Sequence, residues 1–204
     1  MYAIVKDNNI TQLITNPKSV VIGDVRYPAK IFSLWSQSEL NNIGIYEVII
    51  DSTNKKDEAY YINTNEEYTY ADGQVTKSWG TATPKKLEDE DAVDKNGNPV
   101  LNEDGVQIIN YGLKTQKKRI VKKEASGLLA PTDWYVIKAN EVADYNVPEN
   151  ITTFRADVRS KSNEMESQID ACNNVYELET LYTYTRPEDG TSTRPLAEFP
   201  EEVV

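Results

Sequence analysis

"YGLKTQKKRIVKKEASGLLAPTDWYVIKANE", residues 111–141, is where the apolar spacing of the chain changes from two to about 3.5. Leu113, Ile120, Val121 and Leu128 fall on one side of a helix with lysines around the rest, which predicts an amphipathic basic helix. Gly127 stands where a glycine stop would end it. Thr132 or Asp133 can then accept hydrogen bonds from the free amides of a following helix, with Trp134 as a large apolar anchor beside the cap. The stretch reads as an inter-helix corner built on Gly127, Thr132, Asp133 and Trp134. Trp134, Ile137 and Val142 are expected to dock against the next long helix, joining three helices into a small antiparallel assembly.

Downstream, Pro148 occupies a favoured first helical position and is followed at once by an acid suited to the helix dipole. Ile151, Val158, Met165 and Cys172 then recur at intervals of seven, with Phe154 and Ile169 beside them, so one face of this helix is a packing seam. Asn173 or Asn174 is placed to cap a last short helix, "VYELETLY", residues 175–182. Residues 183–204 read as an extended tail.

Upstream, the period is that of strands. "YAIVK" and "ITQLI" flank Asp7, Asn8 and Asn9, which tolerate turn conformations and predict a starting hairpin. Ser36 and Glu39 have the spacing of a capping box, and Gly44 sits where a short helix would end before the strand "IYEVII". "EAYYINT", "EYTYA" and "QVTKSWGT" read as tyrosine- and threonine-rich strands, the last two joined by the turn Asp72-Gly73. Alternate tyrosines could fill a core or face a partner. The expectation here is that Tyr61, Tyr68, Tyr70 and Trp79 lie in or beside a partner-binding sheet, since tyrosine offers rigid apolar area with a polar tip. Between strands and helices, residues 84–110 combine the acidic run "EDED" with the turns Asn96-Gly97 and Asp104-Gly105, and read as a protruding hairpin or flexible insert.

The fold class is therefore α+β: a β-rich N-terminal domain of short antiparallel strands with one short helix (1–83), the acidic insert (84–110), an α-helical domain (111–182) and the tail (183–204). Composition narrows the function. With no histidine in the chain, Ser-His-Asp and Cys-His nucleophile systems and HExxH zinc sites are excluded. The lone Cys172 has no disulfide partner within the chain and falls on the helix seam, where a thiol behaves as a small hydrophobe. Asp94, Asn96 and Asn98 alternate as in a calcium loop, but glycine falls at the fourth position and Gly105 stands at the twelfth, so two turns explain the segment better. No glycine-rich phosphate loop occurs. No catalytic, cofactor or metal site is expected. A net charge of -11 disfavours nucleic acid and anionic lipid as partners, and no apolar run is long enough for membrane insertion. The locally basic residues 114–123 lack interleaved aromatics, while "EDED", "EMESQID" and "ELETLY" offer acidic partners within the same chain.

The same residues carry a resemblance. "GLLAPTDWYVIKANE" followed by "VPENITTFRADVRSKSNEMESQI" resembles the C-terminal region of bacteriophage tail assembly chaperones and tail-fibre assembly proteins. There an L-x-x-T-D-W corner precedes a helix with an arginine-bearing element, here "FRADVR", residues 154–159. "YPAKIFSLWSQSELNNIGIYEV" is similar to the N-terminal part of tail proteins from large tailed phages, particularly those of marine bacteria. The resemblance implies a non-enzymatic virion protein made in the host cytoplasm, a structural adaptor that binds tail-fibre or baseplate proteins and could form a homo-oligomer. The strand-rich N-terminal half is larger than a minimal chaperone requires. The alternatives are a transient assembly chaperone absent from the mature virion and, more remotely, a carboxylate-dependent glycan hydrolase.

Overall fold

A computed structural model describes residues 1–187 and 190–202, so positions 188–189 and 203–204 of the expected tail lie outside the described residues. The chain forms two units, Met1–Pro84 and Lys85–Val204.

The first unit is β-rich. β1 (Tyr2–Lys6) and β2 (Asn9–Ile14) form an antiparallel hairpin. Asp7 and Asn8 make its turn with φ of 51° and 61°, the left-handed pair that matches strand twist. β3 (Val20–Ile22) and β4 (Val25–Tyr27) make a second small hairpin. Two short helices follow, α1 (Ile31–Leu34) and α2 (Gln37–Asn42). α2 starts on a capping box: the Ser36 amide donates to the Glu39 carboxylate at 2.7 Å, and the Glu39 amide to the Ser36 hydroxyl at 3.4 Å. The Ser36 hydroxyl and then its amide hold the Glu39 carboxyl below its ordinary value. Gly44 ends the helix at φ 84°; a Cβ there would stand 2.7 Å from the Val5 carbonyl oxygen, so this close approach to β1 requires glycine.

β5 (Ile45–Ile50) leads into β6 (Tyr61–Ile62), β7 (Glu66–Ala71), β8 (Gln74–Trp79) and β9 (Thr83–Pro84). The main sheet has five strands in the order β2-β1-β5-β8-β7, with β5 and β8 parallel and the other pairs antiparallel. Asp72 and Gly73, at φ 51° and 74°, turn the β7–β8 hairpin. "EAYYINT" contributes only the two residues of β6, paired with β9 in a ladder of its own. The edge strands β2 and β7 approach each other, so the sheet curls. Period-two alternation then sorts the side chains. Ala3, Val48 and Val75 are buried on one face with Val5, Ile10, Tyr46, Tyr68 and Tyr70, whereas Ile4, Ile14 and Ile45 pack on the other against Val20, Ile31, Phe32 and Leu40.

The second unit opens with the segment expected to be a hairpin or flexible insert, and it is a compact three-armed module. β10 (Glu90–Asp91) pairs with β11 (Ile109–Asn110), and two further arms close at the bridges Val93–Pro99 and Leu101–Gln107. The centre is a ring of backbone hydrogen bonds: Ala92 N–H to Ile108 O (2.8 Å), Ile108 N–H to Val100 O (2.9 Å) and Val100 N–H to Ala92 O (2.9 Å). Each closed arm turns on one side chain. The Asp94 carboxylate accepts from the amides of Asn96 and Asn98, and the Asn102 carbonyl from those of Asp104 and Val106. Positions 92–94, 100–102 and 108–110 read Ala-Val-Asp, Val-Leu-Asn and Ile-Ile-Asn, an eight-residue repeat that the turn dipeptides alone did not reveal.

The "EDED" acids are all exposed, and three of them also tie the segment into the fold. Asp89 accepts from the Gly112 amide (2.8 Å) and the Thr115 hydroxyl (3.0 Å), capping the helix α3 (Leu113–Leu129) from outside it. Glu88 pairs with Lys114 at 2.6 Å and Glu90 with Lys86 at 2.7 Å. Gly112 is required by the close approach, since a Cβ would meet the Glu88 carbonyl carbon at 2.3 Å. Farther along α3, Lys118 pairs with Asp170 (2.7 Å) and Lys122 with Glu166 (3.2 Å), so the basic helix is answered by acids of its own chain.

Two helices complete the unit's core. α5 (Glu149–Ala171) begins one residue after Pro148, which stands at the N-cap rather than at the first helical position expected for it and makes no side-chain cap bond, and α6 (Val175–Tyr182) is capped by Asn174, whose side chain accepts from the Glu177 amide. Ile151, Phe154, Val158, Met165, Ile169 and Cys172 are all buried, each worth about 1.5–3 kcal/mol for the larger side chains. Burial also pushes the Cys172 thiol above its ordinary pKa. Phe154 and Val158 pack with Ala125 of α3 and with Phe199. The tail is not simply extended: Leu196 is buried, its amide donates to Leu181 O (3.0 Å), and Gln168 binds both Pro195 O and the Ala197 amide.

Candidate protein-binding surfaces

Three places were singled out by sequence or stand out by exposure: the corner after α3, the tyrosine-rich sheet and the three-armed module. The corner differs from the expectation in its parts. Gly127 does not stop α3, which runs on to Leu129; a Cβ on Gly127 would meet nothing within 4 Å. The break comes at Pro131, which lacks an N–H and whose ring opposes the carbonyl four residues back. Ala130–Thr132 form one 3-10 turn, and α4 (Asp133–Glu141) follows with the backbone helical throughout. Neither Thr132 nor Asp133 caps α4 through its side chain.

Both are held instead by Arg155. Its guanidinium Nη1 donates to Leu129 O (3.1 Å) and to the Thr132 hydroxyl (2.5 Å), and pairs with the Asp133 carboxylate at 2.8 Å. The Thr132 hydroxyl donates onward to Leu129 O at 2.7 Å. Thr132 is 4% exposed and Arg155 9%, so the Arg155–Thr132 bond is desolvated, while the Asp133 side chain is 55% exposed. It joins the L-x-x-T-D-W stretch physically to the F-R pair of α5.

Trp134 is not the anchor. It is 50% exposed, Ile137 55% and Val142 47%, and no residue of α4 is buried. Ile120 of α3 is likewise exposed although Leu113 and Val121 beside it are buried. On α4 the Trp134 ring lies against Tyr135 at 3.8 Å between centroids, and the Lys138 ammonium sits 4.3 Å from the Tyr145 ring and 5.7 Å from Trp134. α4 is thus held at its first turn and displays apolar side chains along its length.

No family model, curated protein or solved structure matches the chain. The surfaces must be read from their own chemistry.

The tyrosine-rich strands turn inward. Tyr68, Tyr70 and Trp79 share the concave face of the curled sheet, and Tyr61 stands in the separate β6–β9 ladder; Tyr61 and Trp79 are buried, and Tyr68 and Tyr70 are half-buried. The Tyr70 and Tyr46 hydroxyls are hydrogen-bonded at 3.0 Å, and this bond, with burial second, raises the Tyr46 pKa. Lys77 lies 4.8 Å from the Trp79 ring and 5.6 Å from Tyr68 while pairing with Glu66 at 2.9 Å, so a lysine stem closes the end of this face. Tyr61 and Trp79 are thus packed inward, and Tyr68 and Tyr70 keep part of their rings exposed.

The three-armed module, expected to be secondary, is the more exposed of the two. Val93 and Leu101 occupy equivalent positions of adjacent arms and are exposed, and Asp91, Glu103 and Asp104 of the same module are exposed too. An open depression of about 440 Å³ beside the start of α5 is lined by Glu149, Asp157 and Glu201 together with Thr153 and Phe154. Among the described residues no group of three or more His, Cys, Asp or Glu could hold a metal ion, and no helix is long and apolar enough to cross a membrane.

Proposed function

We propose that the chain is a non-enzymatic bacteriophage tail protein, a structural adaptor that attaches or supports a tail-fibre or baseplate component in the virion. The observation that carries this reading is the pairing of Arg155 with Thr132 and Asp133: the two sequence elements of the resemblance are one structural device, and what that device presents is a helix with its apolar residues in solvent. A monomer gains nothing from displaying Trp134 and Ile137, whereas a binding protein does. The exposed Val93 and Leu101 of the acidic module offer a second contact for a partly apolar protein surface.

Mass spectrometry of purified virions tests the reading. Stoichiometric presence of the chain supports the adaptor. Its absence from virions, together with its presence in assembly intermediates, would replace the adaptor with a transient chaperone, for which an uncovered apolar helix is equally suitable.

A further inference from the structure

We infer that α4 is a self-association helix and that its occupant is the α4 of a second copy of this chain. Trp134, Ile137, Lys138 and Glu141 are spaced i, i+3, i+4 and i+7 and so lie along one stripe, with Val142 at its edge. Trp134, Ile137 and Val142 are each about half exposed. Among the described residues neither Lys138 nor Glu141 has an ion-pair partner, although lysines elsewhere in the same unit pair with acids of the chain, as Lys114, Lys118 and Lys122 do.

Charge decides the occupant. The stripe carries one cation and one anion, so it is locally neutral on a protein of net charge -11, and a uniformly acidic or basic partner would satisfy only one of the two. A second copy satisfies both. In an antiparallel pair about a two-fold axis between positions 139 and 140, Lys138 of each copy lies opposite Glu141 of the other, with Trp134 and Ile137 on the same stripe beside them. Each contact is made twice, as an isologous interface requires. A parallel pair would set Lys138 against Lys138. A helix of nine residues spans only about 13 Å and supplies less than the roughly 800 Å² per partner of a standard interface, so the dimer is weak.

The inference does not rest on the phage reading and is tested separately from it. Sedimentation of the full chain over a series from low micromolar to near-millimolar is expected to show a reversible monomer–dimer equilibrium. Lys138→Glu, which sets acid against acid in both halves, should weaken it by about tenfold or more, and the double exchange Lys138→Glu with Glu141→Lys should restore it. Circular dichroism confirms that the variants remain folded, which is expected because neither side chain is buried. A monomer at every concentration, association indifferent to Lys138→Glu, or failure of the double exchange to restore it would each overturn the inference, and each would leave the virion measurement unaffected.

Discussion

Arg155 holds a backbone carbonyl, a hydroxyl and a carboxylate with one guanidinium nitrogen, and the entry of α4 depends on it. Arg155→Met keeps an apolar stem in the same space but leaves Leu129 O and the buried Thr132 hydroxyl without their charged donor. The expected loss is about 1.5–3 kcal/mol in urea unfolding, the range for hydrogen bonds to charged groups. Trp134→Ala, by contrast, removes a half-exposed ring and should stay within about 0.5 kcal/mol of the parent. A Trp134→Ala loss larger than that of Arg155→Met would reverse the assignment of anchor and surface. The sequence made a corner between two helices legible, but placed the stop at Gly127 and caps at Thr132 or Asp133 where the break comes at Pro131 and Arg155 holds both side chains. It did not say which side of α4 faces in, since Trp134 suits a core and an interface equally well. One signal was present: Arg155 stands on the apolar stripe between Phe154 and Val158, and a cation in that position needs a partner from elsewhere in the fold.

At the scale of elements, the strands, the capping box and the helix seam were readable because each rests on a spacing of a few residues. The three-armed module was readable only as turns, because its closure is a ring of backbone hydrogen bonds among residues eight apart, which no side chain announces. Its two turns use the same geometry with different chemistry, which gives a test. The Asn98 amide first, then its side chain and the Asn96 amide, hold the Asp94 carboxyl below its ordinary value of 3.8. A depressed acid stabilises the fold above its unfolded pKa and loses that contribution as pH falls through the folded one. The amide resonances of Asn96 and Asn98 should therefore shift together on acidification with a midpoint below 3.8, and Asp94→Asn should abolish the response while keeping the turn, as Asn102 does in the next arm. Persistence of the shift in Asp94→Asn would assign it to another group. The tail is a parallel case. Its residues after Tyr182 lack a period, so it read as extended, yet Leu196 is buried against the helices. Leu196→Ala should cost about 2–5 kcal/mol in thermal or urea unfolding, and a loss below about 0.5 kcal/mol would show that the tail is not part of the core.

For the whole molecule, an apolar content of 39% suits small cores rather than one large one, and the structure divides after Pro84. Each unit has what an independent domain needs. In residues 1–84 both faces of the curled sheet are covered, one by its own concave interior and the other by the β3–β4 hairpin with α1 and α2. In residues 85–204 the helices α3, α5 and α6 bury Val121, Val158, Met165, Ile169 and Leu178, and the first amides of α3 are capped by Lys86 O, Leu87 O and Asp89 from within the same unit. The segment 85–89 is therefore the part of the boundary that a dissection must keep. A fragment beginning at residue 85 should give a cooperative urea transition and near-ultraviolet circular dichroism, as should the fragment 1–84, although domains of this size bury only about 60–70% of their unfolded surface and stand near the margin. A fragment beginning at residue 111 strips α3 of those caps and the Glu88–Lys114 pair, and should be less stable than the 85–204 fragment by about 1–3 kcal/mol for the amide donors left without acceptors. Equal stability of the two would mean that the acidic segment is dispensable to the helical core, and the unit would then begin at α3.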